Sequence, residues 1–142
     1  MNLIARLRQG RRQRDAAHRL YMAVVTRARD PLFYRELGVP DSLDGRFEMI
    51  ALHAFLVMRR LKREGRAGAA LSQALHDIMF ADMDQSLREL GVGDLSVGRK
   101  VKAMARGLYG RIAAYEAGLA EGGDRLVAAI RRNVYGTVSV AA

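Results

Sequence analysis

The chain has 142 residues, with 24 Lys and Arg against 15 Asp and Glu, a formal net charge of +9. Half of the residues are hydrophobic and 27% are charged, which excludes a disordered or fibrous protein and indicates one soluble globular domain. The absence of cysteine excludes disulfides, thiolate metal sites and a cysteine nucleophile, and no apolar run approaches the ~18 residues of a membrane span.

The positive charge is concentrated near the start of the chain. The first 35 residues carry nine arginines against Asp15 and Asp30, which is +7 of the total. The first fourteen residues contain no acid and place Leu3, Ile4 and Leu7 on one helical face. The arginines of this segment are Arg6, Arg8, Arg11, Arg12 and Arg14. A solvated, frayed start to the first helix is the favoured interpretation of this pattern, and contact with an anionic membrane or RNA is the alternative.

Hydrophobic spacing predicts helices along nearly the whole chain. Apolar residues recur at intervals of three and four from Ala17 to Ala28, which predicts an amphipathic first helix. Asp30 and Pro31 then form a cap and first turn for a short second helix, which Gly38 terminates. Residues 39–45 are predicted to form a loop.

Residues 49–58 are apolar on every side except at His53, which predicts a central helix buried all round. A linker is expected at residues 66–68, and a further apolar stripe runs from Leu71 to Leu90. Asp82 would point into that stripe on a straight helix, and an unpaired buried carboxylate costs several kcal/mol. A break at residues 80–81, with Asp82 capping a new helix, is favoured over an inward Asp82 paired with an arginine.

A long helix is predicted to begin near Val97 with Ser96 as its cap and to end at residues 122–123, followed by a last helix capped by Asp124. The sequence therefore predicts an all-α, single-domain bundle of about six or seven helices with one central buried helix. Its expected parts are a basic N-terminal segment (residues 1–15), the helical domain (residues 16–136) and a loose tail (residues 137–142).

The long helix carries a line of small residues opposite its large apolar residues: Ala103, Gly107, Gly110, Ala114 and Gly118. Each glycine inside a helix costs about 1 kcal/mol relative to alanine, so something is expected to approach the backbone closely. Another helix of the same fold is the favoured occupant, and a helix from a partner protein is the alternative. The candidate partner-binding residues are Arg99, Lys102, Arg106, Gly107, Gly110 and Arg111.

Candidates for catalysis are few. His18, His53 and His76 fall on three separate segments without the spacing of a metal site, and His53 is expected to be a hydrogen-bonded core residue. A divalent ion held by a carboxylate cluster would make the protein a metal-dependent enzyme, which is a minor alternative. The cluster consists of Asp77, Asp82 and Asp84. The sequence otherwise predicts no enzymatic activity, cofactor or small-molecule substrate.

Three blocks of the sequence carry a resemblance to a known protein family. The first is residues 38–48 (GVPDSLDGRFE), followed by His53. The second is residues 77–84 (DIMFADMD), continuing through residues 87–94 (LRELGVGD). The third begins at residues 97–98 and ends at residues 109–111 (YGR). Together the blocks lie between about residues 30 and 115, and they resemble the ubiquinol–cytochrome c chaperone family, which assembles the cytochrome b–c respiratory complex. The short, arginine-rich chain resembles a bacterial member, and Ser42 stands where the family pattern has threonine.

The resemblance implies an all-α, non-enzymatic assembly factor that holds a hydrophobic client such as cytochrome b. Mitochondrial members also work with a small partner protein and associate with the ribosome. By resemblance we expect a cytoplasmic protein with peripheral contact at the inner membrane or the ribosome. A basic helical module that binds nucleic acid is the alternative function, although no helix-turn-helix or aromatic stacking platform is recognisable.

Overall fold

The computed structural model describes residues 2–136, and its regular secondary structure is entirely helical. The helices are α1 (Leu3–Ala28), α2 (Pro31–Arg35), α3 (Leu43–Leu61), α4 (Gly65–Glu89), α5 (Asp94–Glu121) and α6 (Gly123–Val134), with a 3-10 turn at Lys62–Glu64. The all-α class is confirmed. Four long helices, α1, α3, α4 and α5, build the bundle instead of the six or seven expected, and the shorter α2 and α6 flank them.

The long helices enclose one main core. Helix α1 packs chiefly on α4 and then on α3, while α5 packs on α6 and α4. Fully buried side chains at the centre include Leu75 and Met79 of α4 and Leu108 of α5. A smaller cluster of Phe55 and Tyr115 with Ala129 joins α3, α5 and α6. Burial of these apolar side chains contributes about 1.5–3 kcal/mol for each large one, so the core holds α5 and α6 in place.

The central helix α3 is buried mainly between Phe47 and Phe55. Residues 47–51 and Phe55 are buried, as predicted for residues 49–58. Leu56, however, is 48% exposed, and Val57 and Met58 are half-buried, so burial on every side is a wrong prediction for the second half. The apolar run indicates that these side chains favour burial, but burial also requires a neighbouring helix, and no described helix covers Leu56.

Helix α4 is a single helix and begins earlier than predicted. Residues 66–68 lie inside it and do not form a linker, because the 3-10 turn makes the corner by itself. Gly68 packs so closely under this corner that a Cβ there would overlap the Leu61 carbonyl oxygen. The predicted break at residues 80–81 is also absent. Asp82 stays partly in solvent and accepts a hydrogen bond from the Tyr21 hydroxyl of α1, so its partner is a tyrosine and not an arginine.

Two other helices also begin earlier than predicted. The Ser42 hydroxyl accepts the Gly45 amide at 3.1 Å and caps α3, so the loop ends before Gly45. Helix α5 begins at Asp94 instead of near Val97, and its N-cap is Gly93 instead of Ser96. Asp94 forms an ion pair with Arg88, which joins the end of α4 to the start of α5. The predicted cap of α2 is confirmed, and the loose tail at residues 137–142 lies outside the described residues.

Candidate functional site

A cleft opens where the start of α3, the middle of α5 and the end of α6 meet. Its volume is about 450 Å³. It is lined by Asp44, Gly45, Phe47, Glu48, Ala103, Met104, Arg111, Arg132, Asn133, Val134 and Gly136. The lining combines apolar side chains with charges of both signs. The cleft borders the line of small residues on α5 through Ala103, so the surface singled out in the sequence continues into a concave site.

One wall of this cleft is an ion pair between α3 and α5. The Arg111 Nε lies 2.8 Å and 2.6 Å from the two carboxylate oxygens of Glu48, and Nη2 also donates to Oε1. Glu48 is 6% exposed and is the buried charged residue of the core, while the Arg111 guanidinium also lies 5.7 Å from the centre of the Phe47 ring. Planar guanidinium and carboxylate groups match in this geometry, so the pair fixes the cleft wall.

This pair shifts the pKa of Arg111 itself and contributes to the shift of neighbouring Tyr115. The hydrogen bonds to Glu48 raise the pKa of Arg111 further above its usual range, although burial opposes the rise. Burial raises the pKa of Tyr115 to about 12, and the negative charge of Glu48 adds to the effect. Arg111 and Tyr115 therefore keep their protons throughout the neutral range, and the electrostatics of the wall are constant there.

Glu48 was not singled out as a site residue from the sequence. Its position between Phe47 and Met49, at the start of an otherwise apolar helix, was the available signal, because a carboxylate placed there requires a partner from elsewhere. The partner, Arg111, was identified as a candidate contact for another protein. The structure shows its guanidinium already bound to Glu48.

The glycines of the small-residue line have three different surroundings. At Gly118 a Cβ would lie 2.7 Å from the Leu126 Cα, so α6 packs directly on this position, as the favoured interpretation predicted. At Gly107 a Cβ would lie 2.5 Å from Nη1 of Arg111, so its absence gives the arginine its path toward Glu48. At Gly110 nothing lies within 4 Å. Gly110 is exposed, as is Ala103, so the line is open in the part nearest the cleft.

A cationic stripe follows the outer face of α5 beside these small residues. It consists of Arg99, Lys102 and Arg106, which are spaced by three and four residues and are all exposed. Within residues 2–136 none of the three forms a salt bridge. The structure therefore leaves this stripe available beside the open small residues, and Arg111 is separate from it.

The N-terminal segment is helical from Leu3 onward. Asn2 caps α1 by accepting the Ala5 amide at 2.8 Å, and the first buried residue is Ala17. Leu3 and Leu7 are 72% and 64% exposed, and Ile4 between them is also exposed. All five arginines of the segment are exposed as well: Arg6, Arg8, Arg11, Arg12 and Arg14. The structure thus presents an amphipathic cationic helix whose apolar residues meet solvent.

The carboxylates that could have formed a metal site are dispersed. Asp77 accepts a hydrogen bond from Gln73 at 2.9 Å, and Asp84 binds Nε of Arg88 at 2.6 Å, while Asp82 binds Tyr21. In the described part of the chain no three potential ligands converge, so the geometry does not support the metal-dependent enzyme. His53 is half-buried, and its Nδ1 lies 2.7 Å from the Met49 carbonyl oxygen, which confirms the expected hydrogen bond.

Comparison with known proteins identifies the family to which the chain belongs. The model of the ubiquinol-cytochrome C chaperone family matches residues 35–142, which is most of the chain and includes the cleft and α5. The chain belongs to this family. The resemblance found in the three sequence blocks is therefore confirmed.

Relatives in this family are ubiquinol-cytochrome-c reductase complex assembly factors. The protein of that name from Xenopus laevis is 29% identical over 119 residues, which are 84% of this chain and 60% of the frog protein. The Homo sapiens protein is 27% identical over 120 residues, 84% of this chain and 40% of the human protein. The chain thus covers less than two thirds of these curated relatives.

A solved structure shares both fold and sequence with this chain. The crystal structure of the Cbp3 homolog from Brucella abortus has a TM-score of 0.82 and 39% identity. The match covers 97% of this chain and 77% of the Brucella chain. The Brucella protein therefore shares this arrangement of helices, and the match extends over nearly all of this chain.

Proposed function

We propose that this protein is a non-enzymatic assembly factor for the ubiquinol–cytochrome c reductase complex and that it holds a protein client such as cytochrome b. Family membership and the names of the relatives support the assembly role. The single observation that carries the client site is the open small-residue surface at Gly110 and Ala103, which continues into the cleft and is bordered by the cationic stripe.

The surface suits an apolar helix from a membrane subunit. Small residues spaced by three or four along a helix let a second backbone approach closely, which is how helices of membrane proteins pack. Ala103 and Gly110 offer such a surface, and the cleft has room for a few side chains beyond it. The cationic stripe would face polar or acidic residues at the end of the client helix, so it would set orientation more than affinity.

The client site is tested by filling the open position. Gly110→Leu adds a side chain to a site with nothing within 4 Å, so the protein should fold while the client helix is displaced. Ala120→Leu, at an exposed position near the end of α5, is the matched control. Cross-linking to newly made cytochrome b, together with the level of assembled reductase in cells, should fall for Gly110→Leu only. Equal cross-linking by both variants would contradict this site.

We also propose that the N-terminal segment brings the protein to an anionic membrane surface. Within residues 2–136 none of the helices combines the length and apolarity needed to span a bilayer. Basic residues near an anionic surface contribute about 1 kcal/mol each, and exposed Leu3, Ile4 and Leu7 can enter the headgroup layer. Proteins that bind single-stranded RNA stack its bases on aromatic side chains. The segment exposes three aliphatic side chains instead, which favours lipid over ribosomal RNA as its partner.

Flotation with vesicles distinguishes these partners. Binding to phosphatidylcholine vesicles should require added phosphatidylglycerol and should weaken at high salt. Replacing Leu3, Ile4 and Leu7 with glutamine keeps every arginine, so it should release the protein from vesicles while leaving binding to ribosomal RNA unchanged. Loss of RNA binding with retained flotation would contradict the lipid assignment and favour the nucleic-acid alternative.

A further inference from the structure

A second depression lies at the corner where α1 ends, α2 crosses and α3 begins, on residues that the client site does not use. Its volume is about 510 Å³. It is lined by Arg29, Pro31, Tyr34, Arg35, Asp41 and Arg46. Three guanidinium groups and one carboxylate therefore surround a single concavity.

The charges in this depression are not balanced. The Nε of Arg46 donates to Asp41 at 2.7 Å, so this carboxylate is already used. Nearby Asp30 lies 3.8 Å from Arg27, outside the depression. Arg29 and Arg35 are exposed and form no salt bridge with any residue between 2 and 136. The depression consequently carries a net charge of about +2, which an anion would neutralise.

Tyr34 fixes the floor around which these charges gather. Its hydroxyl donates to the Ala28 carbonyl oxygen at 3.0 Å, which ties α2 to the end of α1. Burial raises the pKa of Tyr34, the charge of Asp41 adds to the rise, and Arg46 and Arg29 oppose it. The charges of Arg29 and Arg46 thus reach one phenol from the end of α1 and from α3, and Arg35 of α2 lines the same depression.

A groove with both apolar and charged lining residues adjoins the depression. It is lined by Met22, Ala23, Thr26, Arg27, Arg29, Asp30 and Pro31, and its volume is about 640 Å³. Arg29 and Pro31 belong to both concavities. Met22 in the groove is 48% exposed and Leu32 of α2 is 45% exposed, so the cationic depression opens onto uncovered apolar surface.

We propose that this depression binds a phosphate group, with the guanidiniums of Arg29 and Arg35 as donors. The planar guanidinium offers two parallel N–H groups that match the oxygens of a phosphate. Both arginines lie at helix C-terminal ends, where a positive charge is favourable, but this preference does not account for their convergence with Arg46. The phosphate could belong to an anionic phospholipid, whose acyl chains would lie along the apolar part of the adjoining groove. It could also belong to a free phosphate compound, which would accept the same hydrogen bonds from the two arginines. The inference is independent of the proposed assembly function.

The first arm of the test uses inorganic pyrophosphate as a soluble probe at constant ionic strength, with binding followed by amide chemical shifts. Saturable shifts are expected in α2. Arg29→Gln with Arg35→Gln should weaken the affinity at least about tenfold, because hydrogen bonds to charged groups are the strong ones. Arg63→Gln with Arg131→Gln, two exposed arginines elsewhere, has the same net charge and should bind as the unmodified protein does.

The second arm measures flotation of the same proteins with phosphatidylcholine vesicles that contain phosphatidic acid. Selective loss in the Arg29/Arg35 variant with pyrophosphate supports the site for free phosphate, and selective loss with vesicles alone supports it for a lipid headgroup. Arg29→Lys with Arg35→Lys keeps the charge and should retain only part of the affinity, since lysine lacks the paired donors. Equal effects of the two glutamine variants in both arms, or no saturable binding in either, would overturn the proposal.

Discussion

Arg111 of α5 donates to the carboxylate of Glu48 of α3 from both Nε and Nη2, and the space for its side chain exists because residue 107 is a glycine. The backbones of α3 and α5 are less closely packed than those of α3 and α4 or of α4 and α5, and side chains join them. A second bridge, from Nε of Arg59 to Glu116 at 3.3 Å, lies further along the same seam. The cleft wall therefore depends on charge pairing as much as on apolar packing.

The two members of the central pair should not be equivalent when removed. Arg111→Met leaves the carboxylate of Glu48 buried without its partner and should cost about 3 kcal/mol of unfolding free energy. Glu48→Gln leaves an arginine whose side chain is 23% exposed and can turn to water, so its cost should be about half as large. Urea denaturation measures both. A larger cost for Glu48→Gln would contradict the assignment of the buried partner.

Alanine at three glycines of α5 should give three different results. Gly110→Ala should stabilise the protein by up to about 1 kcal/mol, because alanine favours the helix and meets nothing within 4 Å. Gly118→Ala should destabilise it, since the Cβ would press on the Leu126 backbone. Gly107→Ala should fall between them and displace Arg111. Thermal melts rank the three variants, and stabilisation by Gly118→Ala would show that α6 does not pack there.

The hydrogen bond between Tyr21 and Asp82 should also be asymmetric. Tyr21 is 4% exposed, so Asp82→Ala leaves a buried hydroxyl without its acceptor and should cost roughly 1–3 kcal/mol. Tyr21→Phe leaves Asp82 in contact with water and should cost less than about 1 kcal/mol. Chemical denaturation of both variants and of the double variant gives the coupling energy, and equal single costs would argue against this geometry.

Alkaline pH should destabilise the fold through buried tyrosines. The pKa of Tyr115 rises to about 12 in the folded protein, whereas an unfolded tyrosine titrates near a pH of about 10. Its contribution is therefore complete below the unfolded value and is lost as the pH rises through the folded one, at a cost of roughly 2–3 kcal/mol. Tyr115→Phe should flatten this decline in urea midpoints, while the exposed control Tyr109→Phe should retain it.

Local sequence signals gave the helical class, the cap at Asp30 and the family blocks correctly, because periodicity and capping act over a few neighbouring residues. The break expected at Asp82 was wrong because the tyrosine that satisfies it is 61 positions away. The ion pair of Arg111 was missed for the same reason, because Glu48 is 63 positions away. Pairing across a bundle leaves no local pattern, so the site's ion pair emerged only from the fold.

The uninterrupted course of α1 has a mechanical consequence. Ala17, the first buried residue, lies fourteen positions after Leu3, and at 1.5 Å per residue this part of the helix is about 20 Å long. The stretch contains no proline, and its residues 9–16 lie beside the start of α4. A surface that holds the first turn would therefore be joined to the core by one continuous helix.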